Sequence, residues 1–173
     1  MGYDMYVVDR EGNSLPESSM NVDWDTSDEQ WEAEELRRWE SHTYLRRSMG
    51  NMSRLITALV EAGMAYSSVN PPSFPPYPGD EHFDTSGDWE PVTEQARQYR
   101  KQCADTLVKT GDERPGIPIH KFSSNDGWWV TPPECRSAMQ LWAREGSPMK
   151  EEFRDDVIPF LLKAAQNGGF RVW

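Results

Sequence analysis

The sequence predicts an α+β fold, with four or five helices packed on a small sheet that includes both chain ends. Three observations carry this. Extended apolar segments stand at the two termini, from Gly2 to Asp9 and from Phe170 to Trp173. Between them, apolar residues recur at three-four spacing in several stretches, the mark of amphipathic helices. The length of 173 residues suits one domain, spanning 1–173, with one substantial core.

Residues 2–9 alternate as a strand, with Tyr3, Met5 and Val7 on one face and Asp4, Tyr6 and Val8 on the other. Both faces are mostly apolar, so the strand is expected inside the sheet. Asp4 then needs a partner, and Arg171, which interrupts the C-terminal strand, is the expected one. Glu11-Gly12-Asn13-Ser14 is a turn, and residues 13–25 lack periodicity and read as loop. A helix is expected from Thr26 to Glu40, capped by Thr26 or Ser27 with Glu29 or Gln30. Its apolar stripe is narrow, so it should be a peripheral helix pinned by Trp31 and Trp39. Segment 41–48 fits a helical lead-in or a short strand, and the pattern does not decide. Residues 49–62 form a firmer helix with Met49, Met52, Leu55, Ile56, Leu59 and Val60 inward, stopped by Gly63.

Ser67 to Pro91 holds six prolines and is expected to be an irregular loop, since proline suits neither a helix interior nor a central strand. Its rings, Phe74, Tyr77, Phe83 and Trp89, should tether it across the body of the protein. A helix follows over 93–109, with Ala96, Tyr99, Cys103 and Leu107 on one face and Gly111-Asp112 at its end. A further helix is signalled by Thr131 as N-cap, Pro132 at the first position and Glu134 completing a capping box, with Val130 stapling to Cys135. Cys135, Ala138, Met139 and Trp142 form its inner face. The last helix starts near Ser147-Pro148, turns Met149, Phe153, Val157, Phe160, Leu161 and Ala164 inward, and meets Pro159, which should kink or split it. Gly168-Gly169 stop it.

The formal net charge of −11 argues against direct nucleic-acid binding, which needs a basic face, and suits a basic partner. No leader-like or membrane-spanning apolar run is present, and Tyr6 stands where a myristoylation motif wants Ser or Thr. Two lone cysteines, Cys103 and Cys135, fit neither a disulfide scaffold nor a zinc site, so a reducing cytoplasm is expected. His42, His82 and His120 are spread too widely for a metal site, and Asp80-Glu81-His82 lies in what reads as a solvated acidic loop. No cofactor signature is found. Pro72-Ser73-Phe74-Pro75 matches a proline-rich ligand pattern, but its acidic flanks count against that use.

The densest chemistry lies in the run His120-Lys121-Phe122-Ser123-Ser124-Asn125-Asp126-Gly127-Trp128-Trp129. One reading is a tight turn, with Gly127 supplying positive φ and the short polar side chains bonding nearby backbone. The other is a binding site, in which Lys121 holds an anionic group and Asn125 and Asp126 bond a ribose or amide edge. One of Trp128 and Trp129 would then stack on a flat ring, since neighbours in a strand face opposite ways. His120 is a candidate base, although no nucleophile with an oriented partner is readable beside it. A second constellation runs from Asp23 to Glu35, where carboxylates alternate with Trp24 and Trp31. It reads either as a charged outer helix face or as a docking surface for a basic patch.

Met1-Gly2-Tyr3-Asp4-Met5-Tyr6-Val7, the Met-rich segment from Tyr44 to Met64, Ser124 to Cys135 and Gly168 to Trp173 together resemble a family of small actinobacterial and actinophage proteins. The resemblance implies one domain and a phage-borne accessory role, and it implies no chemistry. The leading expectation is therefore a non-enzymatic, cytosolic accessory or regulatory protein that binds a small ligand or a host protein near 120–131. Two alternatives stand beside it. One is an enzyme acting on a small nucleotide-like molecule through His120, Lys121 and Asp126. The other is an acidic inhibitor of a DNA-associated host protein, working through 23–35.

Overall fold

A computed structural model describes residues 2–19, 26–145 and 148–173. Among these, eight strands are ordered β1 (Gly2–Val7), β2 (Tyr44–Ser48), β3 (Ala65–Tyr66), β4 (Phe83–Asp84), β5 (Glu90–Pro91), β6 (Ile117–Pro118), β7 (Trp128–Val130) and β8 (Phe170–Val172). The five α-helices are α1 (Asp28–Glu40), α2 (Met49–Glu61), α3 (Glu94–Leu107), α4 (Pro132–Glu145) and α5 (Glu151–Gln166). The fold is α+β, as the sequence predicts. Its main sheet is antiparallel in the order β2-β1-β8-β7, so the two chain ends pair at its centre.

Register explains why the two faces differ. Met5 stands opposite Leu45 and Val172, and Val7 opposite Phe170, so one face is a continuous apolar surface. The helices α2 and α5 cover it, and Met52, Leu55, Leu59, Phe153, Val157, Phe160 and Leu161 complete the core. Asp4, Tyr6, Tyr44, Arg46, Arg171 and Trp129 lie on the other face, because side chains alternate along each strand. That second face is polar and aromatic, and it is only partly covered.

The undecided segment 41–48 becomes the edge strand β2, and Ser48 ends it by capping α2 through a bond from the Asn51 amide. Within α2, Met49 and Val60, expected inward, are exposed instead, because the buried stripe narrows to Met52, Leu55, Ala58 and Leu59. The helix α5 runs through Pro159 as one element, and its predicted inner residues are buried. Ser147, the expected start of that helix, lies outside the described residues, as does the 20–25 part of the expected loop. Gly169, at φ +88, turns the chain from α5 into β8, and a Cβ there would stand 2.1 Å from the Val130 carbonyl oxygen. The proline-rich loop carries the short hairpin β4–β5. Tyr77 stacks on Phe83 with centroids 5.7 Å apart, both meet Tyr99 of α3 edge-on, and Phe74 reaches Trp128.

The expected Asp4–Arg171 pair does not form. Asp4 accepts a 2.5 Å bond from the Tyr44 hydroxyl and lies 3.7 Å from Arg46. Arg171 stands opposite Tyr6, places its guanidinium over the Trp129 ring at 4.7 Å, and donates to the Gly127 carbonyl. The strands pair as expected, but the register gives Asp4 closer partners on β2.

Candidate functional site

The run from His120 to Trp129 is built as a structural knot. A 3-10 turn over Ile119–Phe122 points Lys121 and Phe122 inward. Lys121 is 0% exposed, and its ammonium donates to the Trp129 carbonyl at 2.6 Å, the Val108 carbonyl at 3.1 Å and Glu134 Oε2 at 2.9 Å. Three donors meet three acceptors, which saturates the group. Glu134 Oε1 lies 2.8 Å from the same nitrogen without the alignment of a hydrogen bond. Burial lowers the Lys121 pKa, and Glu134 works against that shift. Glu134 Oε2 also accepts from the Thr131 amide at 2.6 Å and hydroxyl at 2.9 Å, so the glutamate half of the predicted capping box forms and doubles as an ion pair, while the Thr131 hydroxyl turns to the carboxylate. Lys121 therefore has no hydrogen free for an external anion.

Asn125 and Asp126 are exposed, and each gives one side-chain atom to the turn. Asp126 accepts from Ser124 at 2.6 Å, and the Ser124 oxygen accepts from the Trp128 indole at 3.0 Å. Asn125 donates to the Gly2 carbonyl at 2.9 Å, which ties the turn to the N-terminal strand. Gly127 adopts the positive φ expected of it, +82, with the Trp173 ring packed where a Cβ would stand. Trp128 is buried in the core. Trp129 faces the other way, half-buried, and its indole donates to the Gly168 carbonyl at 2.7 Å. The opposed orientation of the two indoles is as predicted, yet the outward one is already stacked by Arg171.

His120 does reach a hydroxyl. Its Nδ1 lies 3.1 Å from Ser68 Oγ, and its ring meets Trp128 edge-on at 4.9 Å. Burial holds its pKa below the ordinary value, opposed by the Lys109 carbonyl. The contact fastens the proline-rich loop to this turn, and the buried His120 Nε2 has no hydrogen-bond partner among the described residues. Among the described residues no group of three or more His, Cys, Asp or Glu is placed to hold a metal ion, and no helix is long and apolar enough to cross a membrane.

A different place is open. A cleft of about 960 Å³ lies between the second sheet face and α1. Its floor is Tyr6 and Tyr44, whose rings are 5.1 Å apart, with Arg46 beside them. Burial and the bond to Asp4 raise the Tyr44 pKa well above the ordinary phenol value. Its roof is Trp31, Glu32, Glu35, Leu36 and Trp39 of α1, and Arg47 and Asp156, paired at 2.8 Å, stand at one end.

The helix α1 is held by Arg37 and Arg38, with Trp31 half-buried against the cleft. Arg38 is buried, donates to the Ser18 carbonyl at 2.9 Å and lies 3.6 Å above the Tyr44 ring. Arg37 reaches the carbonyls of Glu17 and Ser19 while pairing with Glu34. Ser27 is the N-cap residue, but its side chain makes no capping bond. Trp39, expected as a pin, is 55% exposed, and Leu36 is 54% exposed. Asp28, Glu29, Glu32, Glu35 and Glu40 are exposed as well. At 3.6 residues per turn these carboxylates share one side of the helix and frame the two apolar residues. Asp23, Trp24 and Asp25, the start of the predicted acidic constellation, lie outside the described residues. The sequence held a signal for this face, in the acidic run interleaved with tryptophan, but it gave the indoles a structural role. The floor could not be read while 41–48 was unassigned.

No protein-family profile matches the chain, and neither a curated protein nor a solved structure does.

Proposed function

We propose that this is a non-enzymatic accessory or regulatory protein that binds a basic protein partner through α1 and the cleft beneath it. One observation carries the reading: Leu36 and Trp39 stand exposed together, ringed by the carboxylates of α1 and bordering a cleft with an aromatic floor. An exposed Trp is the commonest kind of binding hot spot, and surrounding carboxylates steer a cationic partner and exclude others. The reading moves the site away from 120–131, where Lys121 is saturated inside the fold and Asn125 and Asp126 each help to hold the turn. A protein whose own task is to bind DNA presents such a basic surface, so the inhibitor alternative belongs to this class. From the resemblance of the chain ends, we read the molecule as an accessory factor of an actinobacterium or its phage.

The test is selection of a random-sequence displayed peptide library on the purified protein. Enriched peptides should carry Lys or Arg beside apolar residues, weaken steeply with salt, and lose binding to the Trp39→Glu variant. Peptides that bind the variant as tightly as the wild type would place the site elsewhere.

A further inference from the structure

We infer that the partner enters the cleft as an extended segment that adds a fifth strand to the free edge of β2. This rests on the reading of α1 as a docking face, and it specifies the form the partner takes.

The geometry follows from backbone parity. Val7 donates to the Thr43 carbonyl, while Asp4 exchanges both backbone bonds with Trp173. Residues 4, 6 and 8 of the first strand therefore point their amides and carbonyls at β8, and residues 3, 5 and 7 point theirs at β2. By the register, Leu45 and Arg47 face β1, so Tyr44 and Arg46 aim theirs outward. Among the described residues, the Tyr44 amide and carbonyl and the Arg46 amide have no partner, and the Arg46 carbonyl takes only a 3.1 Å bond from its neighbour Arg47. The buried Nε of Arg47, at the end of the same cleft, also lacks an acceptor.

Edge strands are ordinarily blunted by charge, and Arg46 and Arg47 could serve that end. Both are drawn off the edge, however, Arg47 to Asp156 and Arg46 toward Asp4. The opposite edge is treated otherwise. There Trp129 is the outward residue of β7, and its carbonyl is taken by the buried Lys121. At β7 the outward carbonyl is capped from within, while at β2, among the described residues, the Tyr44 amide and carbonyl and the Arg46 amide stay unused beside an acidic, partly apolar wall.

An added strand would gain affinity from its backbone and specificity from alternate side chains. Residues opposite Tyr44 and Arg46 share their face, so they meet Leu36, Trp39, Glu32 and Glu35. That face of the segment should alternate apolar with Lys or Arg.

The experiment uses the library-selected peptides and amide hydrogen exchange. Bound peptide should slow exchange at the Tyr44 and Arg46 amides at least tenfold. N-methylation should abolish binding at alternate peptide positions and spare those between. Binding that depends on Trp39 but leaves both amides fast and tolerates every N-methyl group overturns strand addition while the α1 reading stands. Slowing that appears without peptide and grows with protein concentration shows a second copy on the edge, and overturns it too. If no peptide is enriched, both readings fall.

Discussion

The two edges of the main sheet use opposite chemistry. At β7, a lysine is buried to cap an outward carbonyl, and the glutamate that neutralises it also starts a helix. At β2, three outward backbone groups have no partner among the described residues, and the carboxylates nearby stand exposed on a helix held by Arg37 and Arg38. The difference teaches that density of polar residues in a sequence does not by itself mark a site. Around Lys121 the polar groups build structure: the ammonium takes two carbonyls and Glu134, and Ser123, Ser124 and Asn125 hold the turn and tie it to the N-terminal strand. Around Trp39 the carboxylates of α1 are just as dense, but most of them stand exposed rather than spent on a buried partner.

The strongest way to break this comparison is Lys121→Ala. It leaves Glu134 buried without its cation, and the expected loss is about 3–5 kcal/mol of unfolding free energy, read by urea titration. A loss below about 1 kcal/mol, within the range of surface ion pairs, would mean that no buried ion pair holds the Trp129 carbonyl.

Tyr44→Phe comes next. It removes the hydroxyl that bonds Asp4, and a hydrogen bond to a charged group contributes about 1.5–3 kcal/mol; the lower end is expected, since Asp4 keeps Arg46 near. Thermal and urea unfolding should agree on the drop, and an unchanged midpoint would show the floor of the cleft to be less ordered than described.

His120 sharpens the comparison through pH. Its pKa is depressed from the ordinary 6.5 in the folded state, so the unfolded chain binds more protons in the window just below 6.5. Stability should therefore fall as pH drops through 6.5 and stop falling, for this group, below the folded value. In His120→Gln that component disappears, so the stability of the wild type relative to the variant, measured by melting at a series of pH values, should rise with pH and level off above 6.5. A parallel pH profile for the two proteins would refute it.

The smallest stability effect belongs to the other edge. Leu36→Ser and Trp39→Ser should stay within about 0.5 kcal/mol of wild type, because both side chains are largely exposed, while peptide binding is lost. A large destabilisation would return Trp39 to the role of a structural pin.

Much of the fold was legible in the chain. Alternation at Tyr3, Met5 and Val7 and the apolar terminus Phe170-Arg171-Val172 announced the paired ends, and Thr131-Pro132-Pro133-Glu134 announced α4. Three-four spacing located α2 and α5. The short edge strand was not legible, because Tyr44-Leu45-Arg46-Arg47 carries one buried side chain and its pairing is decided by β1, forty residues away in sequence. The site was legible only as residue types. The candidates at 120–129 were correctly seen as turn-formers and as opposed indoles, but the burial of Lys121 depends on Glu134 folding back onto it. Nor could local pattern show that Arg37 and Arg38 hold α1 while Trp39 stays exposed.

The most direct measurement is amide hydrogen exchange along β2 in the free protein. If this edge is open, exchange should alternate, fast at Tyr44 and Arg46 and slow at Leu45 and Arg47. Equal protection at all four amides would mean that the edge is already occupied, and would contradict the contrast between the two sides of the sheet.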